Sequence, residues 1–179
     1  MAHRTIYLVS GSAGAGKSTT SRRIASRLER SAHIEGDLID HMVIGGHEKP
    51  WLSRFHSDLI WRNLLALARN YVEHGHDVVV DYVAFPRNAE AFAEAFRGQD
   101  VTVKYVVLLV TDEDELLRRD AQRESRYRMG RRCIEGMKEI VASRPKERHV
   151  LNTSALAVDA VVLDIRGNDR YIVEAEGDS

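Results

Sequence analysis

Gly11-Ser12-Ala13-Gly14-Ala15-Gly16-Lys17-Ser18 fits the pattern G-x-x-x-x-G-K-[ST] at every position. The pattern carries weight only between a strand and a helix, and both are expected here. Thr5 to Ser10 reads as a buried strand, and Lys17 to Leu28 as a helix with Ile24, Ala25 and Leu28 on one face. The residue types follow from the chemistry. Glycines let the backbone curl so that its N–H groups converge on an anion, and the helix N-terminus adds its dipole. Lys17 can reach the terminal phosphates of a nucleotide, and the Ser18 hydroxyl can ligate Mg²⁺. Gly11, Ser12, Ala13, Gly14, Ala15, Gly16, Lys17, Ser18 and Thr19 are therefore the expected nucleotide-binding set. The dinucleotide spacing G-x-G-x-x-G is absent, because the order here is G-x-x-G-x-G.

Beyond this loop, strand-like and helix-like segments alternate. Short strands are expected at Ala32–Asp37, Val78–Tyr82, Val101–Val110 and His149–Asn152, with a further one at Tyr171–Val173. Helices are expected at Leu38–Val43, Leu52–Glu73, Pro86–Arg97, from Asp112 behind a Thr111 N-cap, at Arg131–Ser143 and at Leu156–Ile165. Alternation of this kind predicts an α/β fold, a mostly parallel sheet with helices on both faces. Ligands of such sheets bind at the C-terminal ends of the strands, so the residues just after each strand come next.

Asp37 closes the second expected strand. Its carboxylate can hold or deprotonate a substrate hydroxyl beside a γ-phosphate, or it can cap the following helix. Gly36 leaves room for a ligand or shapes the turn. Asp81 ends Val78-Val79-Val80-Asp81, an apolar strand closed by a carboxylate of the kind that holds Mg²⁺. Asp37 and Asp81 can exchange these roles. From Arg118 to Arg132 there are seven arginines against two acids, Asp120 and Glu124. Such a stretch can close over a triphosphate and neutralise charge during transfer, with Arg123, Arg126 and Arg128 the candidates and Gly130 a hinge; the other reading is a solvated helix face. His41, His47, Trp51, Arg54, His56 and Trp61 crowd one segment. His41, Trp51 and Arg54 are candidates for an acceptor pocket, as are Tyr82, Phe85 and Arg87, while Trp61 reads as core. No histidine metal site is expected, because no carboxylate or cysteine accompanies these histidines at ligand spacing. Cys133 reads as a buried helix residue.

Composition sets the outer bounds. The 179 residues are 44% hydrophobic and 30% charged, enough for one folded domain over 1–179. No apolar run is long enough to span a bilayer, no secretory signal is evident, and a single cysteine excludes a disulfide framework. These features point to the cytoplasm. A net charge of −1 disfavours broad nucleic-acid binding.

Taken together, Gly11–Ser18, Asp37, Val78–Asp81 and the arginines from Arg118 onward resemble the small P-loop kinases of the nucleoside-monophosphate-kinase superfamily, in particular the gluconate kinase-like and chloramphenicol phosphotransferase-like groups. Asn152-Thr153-Ser154 followed by Val158–Val162 is similar to the closing strand–turn–helix of these kinases, whose turn lies by the adenine. That implies nucleotide contacts for Asn152, Thr153 and Arg119, although the family usually carries Asp in place of Asn152. The resemblance implies a three-layer fold on five strands with an Arg-rich lid near 118–132, Mg-ATP as donor, and a hydroxyl of a small molecule as acceptor: a sugar acid, an antibiotic or a nucleoside-like metabolite. Three other readings stay open: a kinase of a nucleic-acid end or sugar nucleotide, a non-catalytic ATP-binding module, and a regulatory GTPase. The last lacks the Asn-Lys-x-Asp element that reads guanine.

Overall fold

The computed structural model describes residues 3–175. Five strands form one sheet: β1 (Arg4–Ser10), β2 (Ser31–Glu35), β3 (Asp77–Asp81), β4 (Val101–Leu109) and β5 (Val150–Asn152). They lie in the order β2-β3-β1-β4-β5, and all pairings are parallel. The helices are α1 (Lys17–Ala25), α2 (Gly36–Asp40), α3 (Arg54–Glu73), α4 (Pro86–Ala95), α5 (Glu113–Ala121), α6 (Arg132–Ala142) and α7 (Val158–Gly167).

Alternation along each strand explains the layers. Ile6 and Leu8 of β1, Val78 and Val80 of β3, and Val103, Tyr105 and Val107 of β4 face one core with Ile60, Leu64 and Phe92. Tyr7 and Val9, Val79, and Val106 and Leu108 face the other, with Ile24, Met137 and Ile165. Both faces of the sheet are thus covered, which is why its strands read as continuous apolar runs. On α3 the buried residues are His56, Ile60, Leu64, Ala68 and Val72, a spacing of four that lays one stripe on the sheet.

Register positions the site. Val9 pairs with Asp81 and Glu35 pairs with Asp81, so β1, β2 and β3 end level with one another. The loop after β1, the start of α2 and Asp81 therefore share one edge, where β1 has β3 on one side and β4 on the other. That is the switch-point crevice of an open α/β sheet.

Three expectations change. Tyr171–Val173 is not a strand: a 3-10 turn covers Asp169–Tyr171, and only Ile172 makes an isolated antiparallel bridge, to Lys104. Val173 N–H also donates to the Val103 carbonyl at 2.9 Å, so the segment touches β4 through one bridge and one further bond, with the turn at Asp169–Tyr171 taking up the residues before them. The N-cap of α5 is Asp112 and not Thr111; its carboxylate accepts from the N–H groups of Asp114 and Glu115 at 2.9 and 3.1 Å. A carboxylate also complements the helix dipole, which a hydroxyl does not. The strand before Asp37 stops at Glu35, and Asp37 is the second residue of α2.

Lys104 explains how β4 holds α7. Only 6% exposed, it donates from Nζ to the carbonyls of Ile165, Arg166 and Asn168 at 3.4, 2.9 and 3.1 Å. A cation suits a helix C-terminus. Burial lowers its pKa, and the carboxylate of Asp169, 3.7 Å away, opposes that shift. Lys104→Met removes every one of these donors. We expect a loss of about 1–3 kcal/mol, the cost of leaving buried and part-buried carbonyls without partners, read as a lower urea midpoint. An unchanged midpoint would mean that water replaces the ammonium.

Candidate active site

The loop after β1 is built by its glycines. Gly11, Gly14 and Gly16 have φ of 144°, 81° and 95°. Gly14 decides the fit: a Cβ there would stand 2.9 Å from the Leu116 carbonyl oxygen, so the loop packs directly on α5. Gly16 is the N-cap of α1 and supplies no side-chain cap, which leaves the first N–H groups of the helix for an anion. Lys17 Nζ donates to the Ser12 carbonyl at 3.1 Å and so lies back over the loop. Burial lowers its pKa, while Asp81 and Asp37 pull it up and Arg123 pushes it down. Those four side chains therefore share one electrostatic environment.

The two carboxylates differ within it. Burial pushes the Asp81 carboxyl up, but His33, Lys17 and the adjacent Ser18 hydroxyl outweigh this and hold it below its ordinary value. Ser18 and Asp81 thus form a pair of oxygen donors, one ionised, which fits Mg²⁺. His33 Nε2 lies 3.6 Å from Asp81; it was not evident in the sequence, because alternation alone does not single out a histidine on β2. The Asp37 carboxyl is raised, by burial first; Asp81 adds to the rise, and Lys17 and Arg123 oppose it. Asp37 does not cap α2, whose N-cap is Glu35.

A cleft of about 660 Å³ runs from Ser12, Ala13 and Lys17 past Asp37 and Arg123. Its far side is lined by His41, Trp51, Arg54, Tyr82, Phe85 and Arg87, so all the acceptor-side candidates meet there. Trp61 also lines it, half-buried against Tyr82 and Phe92 with ring centroids 5.9 Å from each, so its reading as core is only half right. Lys49 and Arg132 lie over the Trp51 ring at 5.6 and 5.3 Å. At the back, Ser10 Oγ donates to the Ala84 carbonyl at 2.7 Å and accepts from its N–H at 2.9 Å, fixing the turn that carries Tyr82 and Phe85.

The room beside Gly36 belongs to Tyr82 and not to a ligand. A Cβ on Gly36 would stand 2.3 Å from the Tyr82 ring. Gly36→Ala must displace that ring from the cleft wall. Overpacking of this kind costs about 1–3 kcal/mol, and we expect a lower urea midpoint together with a raised acceptor KM.

The arginine stretch is more compensated than its composition implied. Glu115 takes Arg118 at 2.7 Å and Arg119 at 2.6 Å, and Glu139 takes Arg132 at 2.8 Å. Both acids lie outside residues 118–132 and arrive by helical spacing and packing. Asp120 is buried; it pairs with Arg123 at 3.2 Å and accepts from the N–H groups of Met129 and Gly130. Arg123 lines the cleft. Arg128 does not: it is exposed, and its Nε donates to the Arg123 carbonyl at 2.9 Å. Arg126 lies in the 3-10 turn Ser125–Tyr127, and its side chain falls outside the described ones. Arg119 donates to the Ser154 carbonyl at 3.3 Å, which brings it to the Asn152–Ser154 turn. Asn152 Oδ1 accepts from Ser154 N there, and buried Thr153 is tied to the Leu109 carbonyl. Cys133 is buried, and burial raises its thiol pKa.

One expectation fails outright. A carboxylate does accompany the histidines: Asp40 meets His47 and His56. Asp40 follows Asp37 on α2, and sequence spacing hid a contact made across the loop between α2 and α3.

The model of the AAA_33 family, an AAA domain, matches residues 6–143. The chain belongs to that family. Comparison with curated proteins finds no match. Among solved structures, this AAA_33 chain is similar to the APS kinase CysC of Mycobacterium tuberculosis in complex with AMPPNP and APS, at 20% identity and a TM-score of 0.65, over 92% of this chain and 96% of that one. It is similar to a gluconokinase from Sinorhizobium meliloti 1021 at 20% identity and a TM-score of 0.58, over 93% of each chain. It also matches a chain of the Pnkp1/Rnl/Hen1 RNA repair complex at 16% identity and a TM-score of 0.61, over 80% of this chain but only 46% of that longer one. At these identities the likeness is one of fold: this AAA_33 domain shares the P-loop α/β fold of these structures, the fold that the sequence resemblance implied. Among the described residues, no helix is long and apolar enough to cross a membrane.

Proposed function

We propose that this protein transfers the γ-phosphoryl group of ATP to a hydroxyl of a small molecule. The observation that carries this reading is the position of Asp37. It lines one cleft with Lys17 on the nucleotide side and with Trp51, Tyr82 and Arg87 on the other. The acceptor hydroxyl gives its proton to Asp37 as its oxygen bonds to the γ-phosphorus, and the bond from that phosphorus to the β-phosphate oxygen breaks, leaving ADP. Lys17 and Arg123 neutralise charge on the phosphoryl oxygens. Ser18 and Asp81 are the residues that would hold Mg²⁺, which when bound offsets phosphate charge. Gly11 to Thr19 would hold the phosphates. Arg119, Asn152 and Thr153 would sit by the base, and residues near 118–132 would form a lid whose closure brings Arg126 and Arg128 to the phosphates.

The aromatic and basic lining suits an acceptor with an apolar face and an anionic or polar group, which covers sugar acids, antibiotics and nucleoside-like metabolites. The second reading is a nucleic-acid end, favoured by the likeness to the RNA repair chain and disfavoured by a net charge of −1. The test is ADP release with Mg-ATP across sugar acids, nucleosides, aminoglycosides, other hydroxylated antibiotics and a 5′-hydroxyl oligonucleotide, with Lys17→Ala alongside. A compound that raises release only in the unsubstituted protein names the acceptor class. Silence with ATP still bound would favour a binding module.

A further inference from the structure

α2 ends at Asp40, residues 41–53 supply part of the cleft lining, and α3 begins two residues before His56. Asp40 Oδ1 lies 2.9 Å from His47 Nε2 and 2.7 Å from His56 Nε2. The three ligand atoms all lie within 4.8 Å of one another. The two imidazoles meet edge to face, with centroids 4.8 Å apart. Asp40 and His56 are buried, at 8% and 2% exposure.

Phosphoryl transfer has no use for this cluster. Asp37 already serves the acceptor hydroxyl, and Ser18 with Asp81 already form the oxygen pair. Nor does α3 need it, because Ser53 Oγ caps that helix by accepting from His56 N at 3.2 Å. A buried carboxylate whose single oxygen faces two imidazole nitrogens is an arrangement that one cation satisfies at a stroke.

We propose that Asp40, His47 and His56 bind a divalent first-row transition ion, Zn²⁺ foremost, with an open coordination position on the acceptor side of the cleft. Two imidazole nitrogens and a carboxylate oxygen are a set that zinc favours, whereas Mg²⁺ prefers oxygens throughout. Zinc–ligand bonds of about 2.0–2.1 Å set tetrahedral ligand atoms roughly 3.3 Å apart. The two edges that meet at Asp40, 2.9 and 2.7 Å, would lengthen by only about half an ångström to receive the ion. Three protein ligands leave a position for water or substrate, and because Asp40 and His47 both line the cleft, that position faces it. Asp40 stands three residues after Asp37 on one helix, so their Cβ atoms are roughly 5–6 Å apart. An acceptor oxygen bound to the ion would sit beside the proposed base. The ion would also staple the loop that carries Lys49 and Trp51.

The test is direct metal binding by the tag-free chain, stripped with a chelator and titrated with Zn²⁺ against a chromophoric competitor in excess Mg²⁺. One equivalent should bind, and Co²⁺ in its place should give the intense visible bands of a low-coordinate nitrogen–oxygen site. His47 is on a loop with its side chain one-third exposed (33%), so His47→Ala keeps the core intact. It should weaken Zn²⁺ by at least about 100-fold, since loss of even an outer-shell partner costs 10–100-fold. Asp40→Asn and His56→Gln should do the same where they fold, and His47→Ala decides the matter where they do not. No zinc bound, or zinc bound equally by His47→Ala, overturns the proposal. Metal and not phosphoryl transfer is read, so failure of the kinase reading leaves this outcome distinguishable.

Discussion

Asp37→Asn should lower phosphoryl transfer by about 10²–10⁴-fold, the range expected for loss of a positioned general base, while nucleotide affinity stays within about twofold of its starting value, since the P-loop contacts are untouched. Asparagine keeps the shape of the side chain and can still orient a hydroxyl, but it cannot take the proton. The kinetic signature is a fall in kcat with little change in nucleotide Kd. The pH profile gives a second readout. Burial raises the Asp37 carboxyl above the 3.8 of an ordinary Asp, with Asp81 adding and Lys17 and Arg123 opposing. The base works only when ionised, so kcat/KM should fall as pH drops through that raised value and stay level above it. In Asp37→Asn this acid limb should vanish along with the rate. A variant that keeps both its rate and its acid limb would show that the proton goes elsewhere.

What the sequence disclosed follows a physical rule. The phosphate loop was legible because its eight residues are contiguous and their backbone makes the site. The place of Asp81 was legible because a buried parallel strand ends where the ligand edge begins. The five strands and their layers were legible from apolar runs broken by helical patterns. The charge balance of the arginine stretch was only partly legible, because counting along a window sees only neighbours in sequence. Glu115 and Glu139, just outside the window, pair with Arg118, Arg119 and Arg132 once the helices form. Gly36 was ambiguous for a related reason: its missing Cβ answers to Tyr82, which lies forty-six positions later and reaches it only through the register of β2 with β3. The Asp40–His47–His56 cluster was not legible from ligand spacing along the chain, because the fold assembles it from a helix end, a loop and the next helix start.

Lys17→Ala should cost at least about 10³-fold in transfer and weaken nucleotide binding as well, because the cation acts on both bound phosphate and developing charge. The cleft's charge balance argues for a loss this large. Lys17 shares its environment with the carboxylates of Asp37 and Asp81 and with one arginine, Arg123. Removing Lys17 leaves two acids against that arginine at the place where, on the proposed reaction, a triphosphate would enter. Arginine is a poor substitute: Lys17 reaches the loop as a compact ammonium 3.1 Å from the Ser12 carbonyl, and a planar guanidinium needs more room. Lys17→Arg should therefore recover little of the rate. Stability should move the other way. Burial works against the charged form of Lys17, so without nucleotide Lys17→Ala should unfold at a urea concentration no lower than the unsubstituted protein, as expected where a residue is kept for activity at a cost in stability. Single-turnover transfer, nucleotide titration and urea unfolding on the same preparations separate these effects. Transfer within about tenfold of the unsubstituted rate would remove the P-loop from the reaction, because loss of one stabilising donor alone is worth about 10²–10³-fold.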